Sequence, residues 1–397
     1  MKVKDILVEF KENPRLGSSP EVLTLTERNG FVRQSDRFNK RLATEDTSKY
    51  KLIHQDEFAF NPYLLWAGAI ARNCEFIEGV ISPLYPTFRV KSGLDPAFAQ
   101  HFLLSPQMIA KYDSIAFGSV PRRRRSSVQN FLNLSIPALP PLAEQRRIAE
   151  ILDLNHRISS SLDQEISRLD ELEKFSYLKS FGNDPTTTTT QEVAAQGKGS
   201  IRTGPFGSQL RHDEFVSEGI AVLGLDNVVA NRFQWVKQRF ITPEKYDELR
   251  RYKVTPGDVL VSIMGTTGRC AIVPDNIPTT INTKHICAIT TDHCRILPEF
   301  LRASFLWHPS VRQSLMQQTK GAVMAGLNMG IIKKLPLPAP EMSRQLEWVN
   351  SLRSIEVLRQ ELSKKQALCL ELSTSLKARA FQGSLSGFLS SSPASVA

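Results

Sequence analysis

The sequence predicts an α+β protein with two β-rich globular regions. Two long helices separate these regions, and an approximate twofold axis relates them. Two observations predict this fold. A proline-rich stretch that leads into a long apolar-periodic helix occurs twice in the 397 residues, at 136–182 and at 335–383. Shorter matches recur across the preceding regions at an offset of 200 to 202 residues. A repeat of this length indicates that one structural unit occurs twice.

The prolines open each helix, because proline fixes φ and is tolerated in a first helical turn. Apolar residues then recur at spacings of mostly three and four. The two stripes are Ile148, Ile151, Ile158, Leu162, Ile166, Leu169, Leu172, Phe175 and Leu178, and Leu346, Val349, Leu352, Ile355, Leu358, Leu362, Leu372 and Leu376. Each stripe needs a partner, so we predict that the two helices pair with each other rather than pack separately on their own regions.

The repeat also predicts the domain boundaries. Val22–Leu25 matches Val222–Leu225, since 222 − 22 = 200, and Asp56 matches Asp258, since 258 − 56 = 202. The predicted segments are a globular region at 1–135, a helical spacer at 136–182, a linker at 183–190 that contains the threonines at 186–190, a second globular region at 191–334, a second helical spacer at 335–383, and a disordered tail at 384–397. We also predict a hairpin across Asn29-Gly30 and matched helices at 97–112 and 299–318.

Composition favours a polyanionic partner and a cytoplasmic location. Lys and Arg number 50 against 40 Asp and Glu, a net charge of +10. The chain has no signal-peptide pattern and no apolar run near the roughly 18 residues of a membrane span. The five cysteines lack a C-x-x-C pair, which is typical of a reducing compartment. Zinc could be held by His285, Cys287, His293 and Cys294, but their spacing matches no common site, so no metal is predicted.

Three polar loops of the second region are candidates for nucleic-acid contact. They are the glycine-rich loop at 204–210, the loop at 264–269 and the segment at 320–328. Small polar and basic side chains beyond strand ends suit such contact, and plain surface turns are the alternative. The residues that we expect to contact DNA are Arg202, Gln209, Arg211, Thr266, Thr267, Arg269, Lys320 and Asn328.

The first region has a different basic feature, the run Arg122, Arg123, Arg124 and Arg125. Four adjacent like charges repel one another and are unsuited to burial, so we expect them to contact phosphates. A solvated basic loop is the alternative. The second region has no such run, which predicts that the two regions hold their ligand differently.

No catalytic set is recognisable. Asn61-Pro62-Tyr63 superficially resembles the catalytic element of adenine methyltransferases, but it lacks the second proline and a glycine-rich cofactor loop. We therefore interpret Asn61-Pro62-Tyr63 as the end of a strand and not as a catalytic element.

Taken together, the motifs resemble the specificity subunit of type I restriction–modification systems. The resemblance extends from about Val22 to Leu385. It rests on Pro140-Pro141-Leu142-Ala143-Glu144-Gln145, Ser180-Phe181-Gly182-Asn183, the loop at 204–210, Pro256-Gly257-Asp258-Val259-Leu260 and Ala380-Phe381-Gln382-Gly383. It implies that each globular region is a target recognition domain that reads one half of a split DNA sequence.

The resemblance also implies partners. The helices would form an antiparallel coiled coil that holds the readers apart and docks two methyltransferase subunits, with restriction/translocase subunits in the same complex. This chain itself would catalyse no reaction. The partners would use S-adenosylmethionine, ATP and Mg²⁺, and this chain would bind no cofactor. The residues expected at the docking and spacer junctions are Pro140, Pro141, Glu144, Gln145 and Gln345. The alternatives are a detached specificity portion of a fused restriction–methylation enzyme, a DNA methyltransferase itself, and a scaffold that does not read DNA.

Overall fold

A computed structural model describes residues 1–15, 20–26, 30–37, 47–118, 124–319 and 327–381. The chain divides into two compact units. Unit 1 comprises Met1–Asp163 and Lys364–Ala397, and unit 2 comprises Gln164–Ser363. Each unit therefore contains one globular region and a part of both long helices. Within the described ranges, no helix has the length and apolar character that crossing a bilayer requires.

The strands are short and fall into two comparable groups. They are β1 (Leu7–Phe10), β2 (Leu23–Leu25), β3 (Phe31–Arg33), β4 (Lys51–His54), β5 (Phe58–Phe60), β6 (Ile70–Arg72), β7 (Glu78–Ile81), β8 (Thr87–Val90), β9 (Thr186–Thr189), β10 (Ile201–Thr203), β11 (Ile220–Leu223), β12 (Phe240–Ile241), β13 (Val259–Ser262), β14 (Cys270–Ile272), β15 (Thr280–Asn282), β16 (Ile286–Ile289) and β17 (Pro336–Pro338).

The helices are dominated by the two long ones, α5 and α12. In the described residues the helices are α1 (Gln34–Arg37), α2 (Pro96–Leu103), α3 (Pro106–Ser114), α4 (Val128–Leu132), α5 (Leu142–Phe181), α6 (Thr190–Val193), α7 (Pro243–Leu249), α8 (Pro298–Trp307), α9 (Pro309–Thr319), α10 (Met329–Lys334), α11 (Met342–Ser351) and α12 (Arg353–Phe381).

The same four-stranded antiparallel sheet lies at the centre of each unit. Its strand order is β1-β8-β5-β6 in unit 1 and β10-β16-β13-β14 in unit 2. Phe58 and Phe60 of β5 face a core that includes α2, and Val259 and Val261 of β13 face the equivalent core against α8. The predicted β-rich repeat is therefore confirmed, and so is the hairpin of β2 and β3.

The long helices pack antiparallel within each unit. In unit 1, Asn155 of α5 donates a hydrogen bond from Nδ2 to the carbonyl oxygen of Cys369 in α12, at 3.2 Å. In unit 2, Trp348 of α11 donates from Nε1 to Oγ of Ser176, at 3.1 Å. Residue numbers rise along α5 as they fall along the facing helix, which confirms the antiparallel arrangement.

The buried seam of these helices differs from the predicted stripes. Buried and half-buried positions alternate at spacings of four and three in both helices. They are Ile148, Leu152, Asn155, Ser159, Leu162, Ile166, Leu169 and Glu173, and then Trp348, Leu352, Ile355, Arg359, Leu362, Gln366, Cys369 and Ser373. Ile158, Leu172, Phe175, Leu346, Leu358 and Leu372 are exposed instead. A strict heptad register decided burial here, and several seam positions are polar.

Two further predictions need correction. The threonines at 186–190 are no linker, because Thr186–Thr189 form β9, which pairs antiparallel with β17 of the second junction. β-Branched threonine suits such an edge strand. The predicted helices at 97–112 and 299–318 are each two helices, because Pro106 and Pro309 begin a new helix and cannot continue the preceding one.

Candidate nucleic-acid interface

Gln145 joins three segments at the start of α5. Its Oε1 accepts a hydrogen bond from the backbone N–H of Asp95 at 2.8 Å. Its Nε2 donates to the carbonyl oxygens of Gly93, at 3.0 Å, and of Pro140, at 2.9 Å. The side chain is only 2% exposed. It therefore fastens the proline stretch to the loop and N-cap that precede α2.

Gln345 repeats this arrangement at the second junction. Its Oε1 accepts from the N–H of Leu297 at 3.0 Å, and its Nε2 donates to the carbonyl oxygens of Arg295, at 3.1 Å, and Pro340, at 2.9 Å. This side chain is fully buried. Both glutamines are thus structural clamps, which corrects their expected role as docking residues: their amide groups are used within each unit.

The other junction residues remain accessible. Pro141 is exposed, and Pro140 and Glu144 are half-buried. Glu144 lies in the first turn of α5, where a carboxylate suits the helix dipole. That these three residues contact a partner stays a prediction.

In unit 2, the β13–β14 loop presents small polar groups at one end of the sheet. Thr266 and Arg269 are exposed, and Thr267 is half-buried. Ser262 shapes the loop, because its Oγ accepts from the backbone N–H of Arg269 at 2.8 Å and donates to the carbonyl oxygen of Thr266. These two hydrogen bonds therefore hold the backbone of the loop against the end of β13.

Asn328 lies beside the same end of β13. Leu327, its neighbour, donates a backbone hydrogen bond to the carbonyl oxygen of Ile263 at 2.8 Å. The side chain of Asn328 accepts from the N–H of Ile331 at 2.9 Å and so caps α10. Thr266, Thr267, Arg269 and Asn328 are thereby gathered near one strand end, as expected. Lys320 lies outside the described residues.

The glycine-rich loop contributes two further exposed groups. Gln209 accepts hydrogen bonds from the Tyr252 hydroxyl at 2.9 Å and from the backbone N–H of Phe206 at 3.2 Å. Arg211 is exposed and lies 3.6 Å from the carboxylate of Asp213. Gly204 precedes them for a steric reason: a Cβ there would lie 2.1 Å from the carbonyl oxygen of Asn282. This glycine allows two segments to approach closely, so no phosphate-binding role is needed to explain it.

Arg202 has a structural role instead of the expected DNA contact. Its guanidinium pairs with the fully buried carboxylate of Asp258, and it donates from Nε to the carbonyl oxygen of Lys253 at 2.7 Å. A further bond from Nη1 to Thr290 Oγ1 measures 2.9 Å. Asp258 precedes β13, whereas the β13–β14 loop follows it, so Arg202 lies at the opposite end of that strand.

The carboxylate equivalent to Asp258 in unit 1 is Glu57, which corrects the predicted match with Asp56. Glu57 accepts from the N–H of His54 at 2.7 Å and pairs with Arg89 at 2.5 Å. Asp258 likewise accepts from the N–H three residues earlier and pairs with an arginine. The structural offset is therefore 258 − 57 = 201.

In unit 1, the β5–β6 loop occupies the place of the β13–β14 loop. Ser126 donates a backbone hydrogen bond to the carbonyl oxygen of Pro62 at 2.9 Å, the counterpart of the Leu327–Ile263 bond at an offset of 201 in both residues. Arg124 and Arg125, which precede Ser126, thus lie beside this loop. Arg122 and Arg123 lie outside the described residues.

The two described arginines of the run differ. Arg124 is ion-paired with Asp113 at 2.6 Å, and it also donates to the carbonyl oxygens of Asp113, at 2.7 Å, and Ala116, at 3.3 Å. Its guanidinium lies 5.6 Å from the ring centre of Trp66. Arg125 is exposed. The expected phosphate contact of Arg124 therefore competes with an internal carboxylate, whereas Arg125 is freer to meet a ligand.

The aromatic side chains of the β5–β6 loop were missed by sequence reasoning. Tyr63 is 37% exposed, and the guanidinium carbon of Arg125 lies 5.6 Å from its ring centre. Phe117, opposite Arg125, is 66% exposed. The available signal was an aromatic pair, Tyr63 and Trp66, in a loop that the repeat aligns with a candidate DNA-contacting loop.

Within the described ranges, no group of three or more His, Cys, Asp or Glu residues is arranged to hold a metal ion. Of the residues weighed for zinc, Cys287 is buried in the sheet. Burial raises the pKa of the Cys287 thiol, and likewise that of Cys270, to about 12. A neutral buried thiol is a poor metal ligand and nucleophile.

Comparisons with known proteins agree with this architecture. No protein-family model matches the chain. It is 24% identical over 280 residues to the type I restriction enzyme EcoBI specificity subunit of Escherichia coli, an alignment that covers 62% of this chain and 58% of that protein. It is 21% identical over 243 residues to the MjaVIII specificity subunit of Methanocaldococcus jannaschii, covering 57% and 56%. The chain thus spans just over half the length of these relatives.

In fold, it resembles the crystal structure of the type I restriction–modification S subunit from M. genitalium, with a TM-score of 0.55 and 13% identity over 96% of this chain and 95% of the other. The chain is related to the type I specificity subunits. The predicted resemblance to this family is therefore confirmed, as is the predicted fold class.

Proposed function

We propose that this chain is the DNA-recognition subunit of a type I restriction–modification complex and that it reads a target in two separate blocks. The observation that carries the proposal is the duplicated loop arrangement. In each unit the loop between two central strands, β5–β6 or β13–β14, meets a second segment at the same end of the same sheet, joined by the Ser126–Pro62 bond in unit 1 and the Leu327–Ile263 bond in unit 2. The exposed polar or basic side chains come from the second segment in unit 1 and from both segments in unit 2. Two equivalent readers suit two blocks of sequence.

Charge and loop chemistry support DNA as the ligand. The net charge of +10 favours a polyanion. Exposed Arg125 and Arg269 can contact phosphates or guanine edges, and the hydroxyls of Thr266 and Thr267 can contact either. We expect some of these side chains to contact bases, which specifies the sequence, and others to contact phosphates, which positions the protein on the duplex.

Partner subunits would supply the chemistry. On this proposal the long helices dock two methyltransferase subunits and, through them, restriction/translocase subunits. S-adenosylmethionine, ATP and Mg²⁺ would bind to the partners. The accessible residues Pro141 and Glu144 at the first junction are the sites at which we expect contact with a partner.

The test is methylome sequencing of cells that express this chain with the methyltransferase subunit encoded beside it. We expect one methylated motif of two short blocks separated by unread base pairs. The triple variant Thr266→Ala, Thr267→Ala, Arg269→Ala should alter one block and leave the other unchanged. A complex without a sequence-selective footprint would contradict the proposal and favour a pure scaffold. Methyl transfer by the purified chain alone would favour the methyltransferase alternative.

A further inference from the structure

We infer that Arg125 reads a guanine in the block that unit 1 recognises, with Tyr63 as the residue that positions it. The inference rests on the proposed function and goes beyond it, because it assigns a base and a side chain. It also departs from the expectation that the whole arginine run contacts phosphates.

The backbone of Arg125 is fixed on both sides. Its N–H donates to the carbonyl oxygen of Phe117 at 2.9 Å, and the N–H of Phe117 donates back to its carbonyl oxygen at 3.0 Å. The next residue, Ser126, is bonded to Pro62 at 2.9 Å. These backbone hydrogen bonds hold Arg125 in place, so the position of its Cα atom is set before any ligand binds.

Its side chain is stacked rather than paired. The guanidinium carbon lies 5.6 Å from the ring centre of Tyr63, within the range of a cation–π contact. In the described part of the chain, the Arg125 side chain forms no ion pair or hydrogen bond. Its donors are thus left for a ligand, while the ring restricts the motion of the guanidinium.

Tyr63 is itself held in place. Its backbone N–H donates to Oδ1 of Asn61 at 3.0 Å, and Nδ2 of Asn61 donates to the Tyr85 hydroxyl at 3.3 Å. The Trp66 indole donates to the carbonyl oxygen of Tyr63 at 2.9 Å. The loop that carries the ring is therefore pre-organised, which reduces the entropy lost when Arg125 binds.

This geometry suits a ligand with two acceptors side by side. A planar guanidinium that is restricted by an aromatic ring presents two parallel N–H donors in a fixed direction. Guanine offers the matching pair of acceptors, O6 and N7, in the major groove. Lysine keeps the charge but loses this fork, and a change in the recognised sequence of Arg125→Lys distinguishes base reading from a phosphate contact, which carries no sequence information.

The adjacent arginine provides the control. Arg124 carries the same charge, but its guanidinium is bound by Asp113. Arg124→Lys should leave the recognised sequence unchanged. A second pair of variants tests the positioning residue: Tyr63→Phe keeps the stacking ring, whereas Tyr63→Leu removes it.

The experiment maps the methylated motif of the complete methyltransferase complex for wild type and each variant, together with affinity for the wild-type target. We expect Arg125→Lys to weaken binding by roughly 5- to 150-fold and to lose the preference for guanine at one position of one block. Tyr63→Leu should weaken that preference partly, and Tyr63→Phe should retain it. Because unit 2 reads the other block, intact recognition there shows that the variant complex is folded.

An unaltered motif in Arg125→Lys would overturn the inference: together with weakened binding it would identify a contact to phosphate, and together with unaltered affinity it would show that Arg125 does not contact DNA. The same loss in Arg124→Lys would also overturn it, because the effect would then follow the charge of the run. If the wild-type complex recognised no split motif, the proposed function would fail as well, so the two failures are distinguishable.

Discussion

Units 1 and 2 share one scaffold, but they fasten their globular regions to the long helices by different chemistry. Both use a buried glutamine at the helix start and a phenylalanine near the helix end: Phe381 contacts Phe98, with ring centres 5.7 Å apart, and Phe181 contacts Phe300, at 4.9 Å. Unit 2 adds a buried carboxylate with three arginines to its apolar contacts, whereas unit 1 adds a His101–Asp153 pair and a longer Arg146–Asp95 contact. The contacts that the two units share define the common fold, whereas the contacts that differ are not required for it.

In unit 2 the attachment centres on Glu173, a seam residue of α5 that is 7% exposed on its side chain. Arg302 of α8 donates to its Oε1 at 2.7 Å, and Arg359 of α12 approaches Oε2 at 3.3 Å. Arg232, from the loop before β12, also pairs with it. Burial alone would raise the pKa of Glu173, but these three arginines lower it below its ordinary value. The carboxylate therefore stays charged and joins three segments.

Unit 1 has no such cluster at the equivalent seam positions. Since 173 + 200 = 373 and 359 − 200 = 159, the counterparts are Ser373 and Ser159, both half-buried. Its ionic link is instead between His101 of α2 and Asp153 of α5, at 2.7 Å. A histidine pair titrates near neutral pH, whereas an arginine–carboxylate cluster does not. The two attachments should therefore respond differently to mutation and to pH.

The largest expected effect is that of Glu173→Gln. Removing this carboxylate leaves the almost fully buried Arg302 without its ion-pair partner, while Arg359 keeps Asp170 and Glu356, and the loss should cost about 3–5 kcal/mol of unfolding free energy. Ser373→Ala, at the equivalent position, should change stability by less than about 0.5 kcal/mol. Urea denaturation measures both, and hydrogen exchange assigns the loss to unit 2. Similar losses in the two variants would show that the seam position, and not the charge cluster, matters.

The next effect concerns what the units share. Gln145→Ala and Gln345→Ala each remove three hydrogen bonds and leave backbone groups unsatisfied, which should cost about 2 kcal/mol in either unit. The two losses should be equal within about 0.5 kcal/mol, since both clamps have the same partners at matching offsets. Gln145→Met and Gln345→Met retain the volume and report the hydrogen bonds alone. A large loss in one unit only, measured by urea denaturation, would refute the equivalence of the two junctions.

The sequence was sufficient to predict the duplication, the pairing of the two long helices and the β-rich regions, because these depend on repeated apolar patterns and prolines. The antiparallel direction of the helices was implied by the resemblance to type I specificity subunits. The sequence was insufficient where the contacts of a single polar residue determine which face of a helix is buried. Glu173 and Asn155 are polar yet occupy seam positions, so the predicted apolar stripe runs through Leu172 and Phe175, which are exposed. Burial of Glu173 depends on Arg302, which is 129 residues away and cannot be paired with it by periodicity.

The candidate site shows the same limit. Thr266 and Arg269 could be placed correctly because a loop between two buried strands reaches one end of a sheet. The structural role of Arg202 could not be predicted, because its partner Asp258 lies 56 residues away and nothing in the local sequence shows that the two side chains pair. The clamping role of Gln145 was hidden for a similar reason: its partners are backbone groups at Asp95 and Gly93.

A smaller effect is expected from pH. Burial lowers the pKa of His101, while Asp153 partly opposes the shift and Lys377 and Arg72 reinforce it. The folded protein thus binds this proton less readily than the unfolded chain, whose histidine titrates near about 6.5. Stability of unit 1 should therefore fall as the pH drops below about 6.5.

Urea denaturation at a series of pH values tests this, with His101→Gln as the variant that should lose this part of the dependence. Unit 2 has two histidines, His285 and His308, whose pKa burial also lowers, so part of the slope should remain in the variant. An unchanged slope in His101→Gln would show that the His101–Asp153 pair does not couple to folding.

The smallest effect concerns the turn that precedes the central strand of each sheet. Gly257 has φ of +79° and Asp56 has φ of +67°, and they stand at the same structural offset, since 257 − 56 = 201. A left-handed backbone is disfavoured for residues with a Cβ by about 1–2 kcal/mol, and aspartate tolerates it better than most. No atom lies within 4 Å of a Cβ placed on Gly257, so Gly257→Ala should cost about 1 kcal/mol through conformation alone.

Asp56→Gly should instead stabilise unit 1 by up to about 1 kcal/mol, because it relieves the same conformation. The ion pair that it loses, with Arg72 at 3.4 Å, involves a carboxylate that is 55% exposed and contributes little. Thermal melts of the two variants decide the matter: opposite shifts in melting temperature are expected, small for Asp56→Gly and larger for Gly257→Ala. Destabilisation by Asp56→Gly would mean that the exposed ion pair outweighs the backbone strain. The two turns would then be alike in backbone shape but held by different forces, as the helix attachments are.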